Sequence, residues 1–90
     1  MTELEADFER ATETVRRLPE RPSNEELLEL YALFKQASDG DVTGKRPGLM
    51  DFKGRAKYDA WTAVEGMERD EAMRTYVALA RRLDETLAGA

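Results

Sequence analysis

Apolar residues recur every three or four positions in four separate blocks of this chain, and nowhere do they alternate. A period near 3.6 marks a helix with one buried face, whereas a half-buried strand needs a period of two. The first block carries Leu4, Phe8, Ala11, Val15 and Leu18. Pro19 and Pro22 close it, because proline lacks the amide hydrogen that continues a helix. Ser23 stands three residues before Glu26, the spacing of a capping box, in which each side chain satisfies the other's free backbone amide. A second helix follows with Leu27, Leu30, Tyr31, Phe34 and Ala37 on one stripe, and ends near Ser38, Asp39 and Gly40. Residues 40–51 show no period and hold three glycines and a proline. That is long for a connection inside a small domain, and loops of this length are often functional. Asp51 is placed to cap a third helix carrying Phe52, Ala56, Ala60, Ala63 and Val64, stopped by Gly66. The last block has Ala72, Met73, Tyr76, Val77, Ala80, Leu83 and Leu87, behind an acidic first turn of Glu68, Asp70 and Glu71. The chain is therefore expected to be all-α, a small four-helix structure forming one domain over residues 1–90.

Composition removes much of the catalytic repertoire. With no cysteine there is no disulfide, thiolate nucleophile or thiolate metal site. With no histidine, the usual zinc ligand and the usual general base near neutral pH are missing as well. The acidic start MTELEADFER lacks the basic and apolar segments of a secretory signal, and no apolar run is long enough to cross a bilayer. A cytoplasmic protein is expected. The net charge of −5 argues against nucleic acid as a partner. From Tyr31 to Tyr58, however, six basic residues face only three acids. A basic middle in an acidic chain suits a small anion better than an extended polyanion.

Two familiar motifs fail on inspection. DGDVTG (39–44) places Asp39, Asp41 and Thr43 at positions one, three and five of a calcium loop, but position twelve is Met50, where a bidentate glutamate is needed. A glycine-rich turn is expected instead. Gly44-Lys45-Arg46 lacks the upstream glycine, the hydroxyl residue and the preceding strand of a phosphate loop. What remains is a set of cations and rings at helical spacing. Lys53, Lys57 and Trp61 lie one turn apart on the third helix, and Tyr31, Phe34 and Lys35 share a face of the second. Tyr76 lies within the apolar stripe of the fourth. Taken singly, such aromatics usually fill a core while lysines snorkel from its edge. Two such stripes flanking a long loop also match a nucleotide, since lysine supplies point charge for phosphate and a ring face stacks on a base.

The stretches PSNEELLELYALFKQASDGD (22–41) and RPGLMDFKGRAKYDAW (46–61) resemble the acyl-CoA-binding proteins, with the patterns YxxFKQAxxGD and RPGxxDFKGxAKxxAW. Phe8, Val15 and DEAMRTYVAL (70–79) fit as well, so the resemblance covers nearly the whole chain. It implies an antiparallel four-helix bundle that is a carrier rather than an enzyme, and a single acyl-CoA-binding domain. The ligand would be a medium- or long-chain fatty acyl-CoA ester, with no cofactor and no metal. A monomer is expected, with acyl-CoA-using enzymes as partners. By resemblance, Lys35 and Lys57 would hold the 3′-phosphate with the Tyr31 hydroxyl beside them, and Phe34 would lie against the adenine. Tyr76 would meet the adenosine part, Arg16 would stand near the phosphates, and Leu27 and Leu28 would touch the acyl chain. Lys53 joins this set from the basic stripe. The chain departs from the commonest pattern at Phe34, Thr12 and Tyr58, where tyrosine, alanine and tryptophan are frequent. Thr12 is expected to crowd the ligand end of the first helix. The rival reading is a helical interaction module gripping a protein through Lys53, Lys57 and Trp61. Thioester hydrolysis, a third, would require an Asp or Glu base.

Overall fold

The computed structural model describes residues 1–88, which form four helices and no strand: α1 (Glu3–Arg16), α2 (Asn24–Asp39), α3 (Phe52–Thr62) and α4 (Arg69–Ala88). Local chemistry explains the boundaries. Ser23 and Glu26 form the expected capping box. Thr2 and Glu5 form a second one at the start of α1, unnoticed in the sequence because it precedes no obvious break. Asp51 caps α3 by accepting a hydrogen bond from the Gly54 amide at 2.9 Å. A side chain at Gly54 would collide with that carboxylate. Gly40 and Gly66 take φ of 83° and 89°, a region that favours glycine, and so end two helical segments. The third helix is shorter than its spacing suggests. After Thr62 the chain tightens, with Val64 donating to Trp61 and Met67 to Val64 in three-residue steps, so Ala63 and Val64 lie in a turn.

The packing order is α1, α4, α2, α3. The backbone of α4 lies against both α1 and α2, while that of α3 approaches α2 alone. The result is a flat bundle of 38 × 31 × 15 Å. Its core is the expected stripe of α4, from Ala72 and Met73 through Tyr76, Val77 and Ala80 to Leu83, closed by Ala11, Leu30 and Leu33. Directions follow from paired contacts. Arg69 donates to the Ala37 carbonyl at one end of the α2–α4 seam, and Arg82 acts on Glu26 toward the other, so α2 and α4 are antiparallel. Glu5 meets Arg69 near the starts of α1 and α4, and Phe8 meets Tyr76 farther along both, so these two helices run the same way. Lys57 lies over Tyr31, and one turn on, Lys35 lies over Trp61, so α2 and α3 also run the same way.

That parallel pair accounts for the long loop. The chain leaves α2 at one end and must return along α3, about 16 Å at 1.5 Å per residue, before starting it. At ~3.3 Å per extended residue the return needs at least about five residues, so a tight turn is geometrically excluded. Residues 40–51 make the journey and are tied to α3 as they go. The Trp61 indole donates to the Gly40 carbonyl at 2.8 Å, and the Tyr58 hydroxyl to that of Gly44 at 3.0 Å. Arg46 grips Asp59 through two nitrogens, at 2.9 and 2.7 Å. Asp41 accepts from the Gly66 amide and from the buried Gln36 carboxamide, which also donates to the Met67 carbonyl. Within DGDVTG the Asp41 carboxylate is thus occupied by protein donors, and among the described residues no group of three or more acids is placed to hold a metal.

Candidate functional site

The basic middle of the sequence folds onto one face of the α2–α3 pair. Between these helices runs an open groove of about 420 Å³. Leu27, Leu28 and Tyr31 of α2 line it opposite Lys53 and Lys57 of α3, so five of the expected residues meet in one place. Arg21, Asn24, Phe52 and Ala56 complete the lining. Sequence reading missed these four as site residues. Arg21 sits between Pro19 and Pro22 in the break after α1, outside any periodic stripe; its guanidinium donates to Asn24 at 2.8 Å. Phe52 falls on the apolar stripe of α3 and reads as core, yet it is 75% exposed. The signal available was its neighbour Lys53, since an apolar residue beside a cation at a helix start often lies at a rim.

Toward the C-terminal ends of α2 and α3 two cations are held over rings: Lys57 of the lining and, one turn beyond the lining, Lys35. Lys57 Nζ is 5.3 Å from the Tyr31 ring centroid, and Lys35 Nζ is 4.9 Å from that of Trp61. These distances are within reach of a cation–π attraction, which helps hold a flexible ammonium in one place. Lys35 also hydrogen-bonds Asp39 one turn later. That bond raises the Lys35 pKa above its ordinary value, with partial desolvation opposing. The Tyr31 phenol is close enough to act on Lys35 electrostatically. Three groups suited to an anion, Lys35, Tyr31 and Lys57, are thus neighbours.

Phe34, Tyr76 and Arg16 are not part of the groove lining. Phe34 and Tyr76 gather around Phe8 on the α1–α4 side of α2, and Arg16 is close enough to Tyr76 to act on it electrostatically. The Phe8 ring stacks on Phe34 at 5.9 Å and meets Tyr76 edge-on at 5.1 Å, with Phe34 and Tyr76 tilted at 6.4 Å. Phe34 stays 42% exposed, whereas Tyr76 is only 5% exposed, and burial pushes its phenol pKa up against the opposing charge of Arg16. Arg16 itself is an exposed partner of Glu13. Thr12 lies with Phe8 and Phe34 along a shallow cleft, but its hydroxyl donates back to the Glu9 carbonyl at 2.7 Å, within its own helix. Tyr58 points to the loop rather than to the groove. The Lys53–Lys57–Trp61 stripe proposed for a protein partner does not exist as a surface, because Trp61 is buried against the Gly40 carbonyl. Among the described residues no helix is long and apolar enough to cross a membrane.

Comparison with known proteins places this geometry. Residues 5–80 match the family model described as Acyl CoA binding protein. The chain is 52% identical over 85 residues to the acyl-CoA-binding protein of Brassica napus, covering 94% of this chain and 92% of that one. It is 50% identical over 76 residues to the acyl-CoA-binding protein homolog 1 of Caenorhabditis elegans, covering 84% and 88%. The crystal structure of Oryza sativa acyl-CoA-binding protein 2 aligns with a TM-score of 0.91 at 46% identity, over 97% of this chain and 94% of that one. A match over most of the chain at about half identity, with the same fold, leaves one assignment: the chain belongs to the acyl-CoA-binding protein family.

Proposed function

We propose that this chain is a non-enzymatic carrier, one domain and one protomer, that binds medium- and long-chain fatty acyl-CoA esters without a covalent bond. It would hold them as a cytoplasmic pool for acyl-CoA-using enzymes. The observation that carries this reading is the junction of unlike chemistries: Lys57 over Tyr31, with Lys35 alongside, at one end of a groove floored by Leu27, Leu28 and Ala56. The ligand has the same two ends. Its 3′-phosphate suits Lys35, Lys57 and the Tyr31 hydroxyl, and charge-assisted hydrogen bonds of that kind contribute ~1.5–3 kcal/mol each. To take the phosphate, Lys35 exchanges part of its bond to Asp39. The exposed face of Phe34 offers a stacking surface for adenine, with the buried Tyr76 ring behind it and the Arg16 guanidinium near that phenol. The acyl chain lies against Leu27 and Leu28, with the Lys53 stem along its flank. Each methylene removed from water contributes up to ~0.8 kcal/mol. Because the groove is open, burial is partial, so affinity rises with chain length and then levels off. Titration calorimetry with hexadecanoyl-CoA against free CoA tests this reading. The ester should bind far more tightly, and equal affinities overturn the carrier function.

A further inference from the structure

The apolar residues most exposed between the chain termini are adjacent. Leu49 is 74%, Met50 86% and Phe52 75% exposed. Leu49 and Met50 occupy the two corners of a turn closed by the Asp51 amide donating to the Gly48 carbonyl at 3.0 Å. Such corners usually carry polar residues, so two large apolar side chains at a protruding tip call for a partner. The surrounding charge indicates its chemistry. Five basic residues and one acid lie between positions 45 and 57, in a chain whose net charge is −5. Only Arg46 of those cations is engaged in an ion pair among the described contacts, with Asp59. The tip is therefore apolar, flanked in sequence by the exposed Lys45 and Lys53, neither in an ion pair among the described contacts, and carried by a chain whose remaining charge is acidic.

We propose that the Gly48–Phe52 tip docks this protein onto anionic lipid surfaces, with Leu49 and Met50 entering the interface and Lys45 and Lys53 facing the headgroups. A convex apolar tip suits a fluid bilayer, which closes around a protrusion, better than a folded protein surface, which would need a matching pocket. The sign of the field favours the same partner, since basic side chains close to an acidic leaflet are attracted within a Debye length. Phe52 belongs both to the tip and to the groove lining. Docking thus sets the open end of the groove against the lipid. That last consequence rests on the carrier reading, whereas the docking does not.

The full chain, free of ligand, is co-sedimented with vesicles of phosphatidylcholine alone and of phosphatidylcholine with phosphatidylserine. Binding should need phosphatidylserine, weaken with added salt, and fall about tenfold or more in L49D/M50D. Lys45→Glu should weaken it to a smaller extent. Both variants should keep the wild-type circular dichroism spectrum and the wild-type affinity for hexadecanoyl-CoA. Equal binding to the two vesicle types, or undiminished binding by L49D/M50D, overturns the proposal, as does binding of the tip to acidic proteins but not to vesicles. If vesicles bind while hexadecanoyl-CoA does not, the carrier reading falls and the docking stands.

Discussion

The three-helix body and the α3 leaf are held together by different forces. In the body, α4 lies between α1 and α2 and buries a continuous apolar stripe, with Ala72 and Ala80 fully enclosed and Met73 and Leu83 nearly so. In the leaf, α3 contributes one buried side chain, Trp61, with Ala56 and Ala60 half-buried, and the specific ties that fix it are directional. Trp61, Tyr58 and Asp59 bond to the loop, while Lys57 and Lys35 cross to and from α2 over rings. Apolar burial is indifferent to small shifts and sensitive to volume. Polar ties are sensitive to geometry and to charge. The proposed ligand groove lies along the seam between these two kinds of structure.

This contrast can be broken from either side. The largest effect should come from the body. Leu83→Ala removes three heavy atoms from a closed core and should cost about 3 kcal/mol in urea unfolding, while the fraction still folded keeps its ligand affinity. A cost below about 1 kcal/mol would show that the body is not the stability centre. Lys57→Ala is the converse case. Lys57 is exposed and bears on the leaf side of the groove, so its loss should weaken hexadecanoyl-CoA binding by about 2 kcal/mol in calorimetry with little change in unfolding. Unfolding that shifts as much as binding would instead make Lys57 a structural tie.

Acid should give the smallest effect, and its sign is fixed. The Gln36 carboxamide and the Gly66 amide hold the Asp41 carboxyl below its ordinary pKa, and Arg46 does the same for Asp59. A carboxyl depressed in the folded state stabilises the fold above the ordinary carboxylate range, and that stabilisation fades as pH falls through the folded value. Both groups belong to the leaf and its loop. Hydrogen exchange, corrected for intrinsic rates, should therefore show the loop and α3 losing protection on acidification before the centre of α4. Glu5 and Glu26, held down chiefly by their capping boxes, should bring the first turns of α1 and α2 along. Loss of α4 protection first would reverse the comparison.

Much of this architecture is readable in the residues. Four apolar periods, Ser23 with Glu26, Asp51, and the stops at Pro19, Gly40 and Gly66 locate the helices because each is a local signal. Lys57 and Tyr31, from different helices, emerge as neighbours only through the family resemblance, since no local rule links positions on separate elements. The parallel course of α2 and α3 is invisible for the same reason, although the length of the 40–51 loop is its trace. Trp61 and Phe52 exchange roles relative to their spacing. One turns inward because its indole finds a carbonyl, and the other turns outward because α3 begins at an edge that nothing covers. Periodicity assigns a face to a helix but does not say where along that face the neighbouring helix ends.

The ties of the leaf are also unevenly placed. Gln36, Asp41, Gly66 and the Trp61–Gly40 bond cluster at one end of α3, around a carboxamide that is 2% exposed, while Phe52 at the other end stands free of polar partners on the body. The polar ties are thus densest around Gln36 and sparsest at Phe52, so a change in the separation of α2 and α3 at the Phe52 end breaks the fewest of them, and in the proposed carrier that end is where the width of the groove is least fixed.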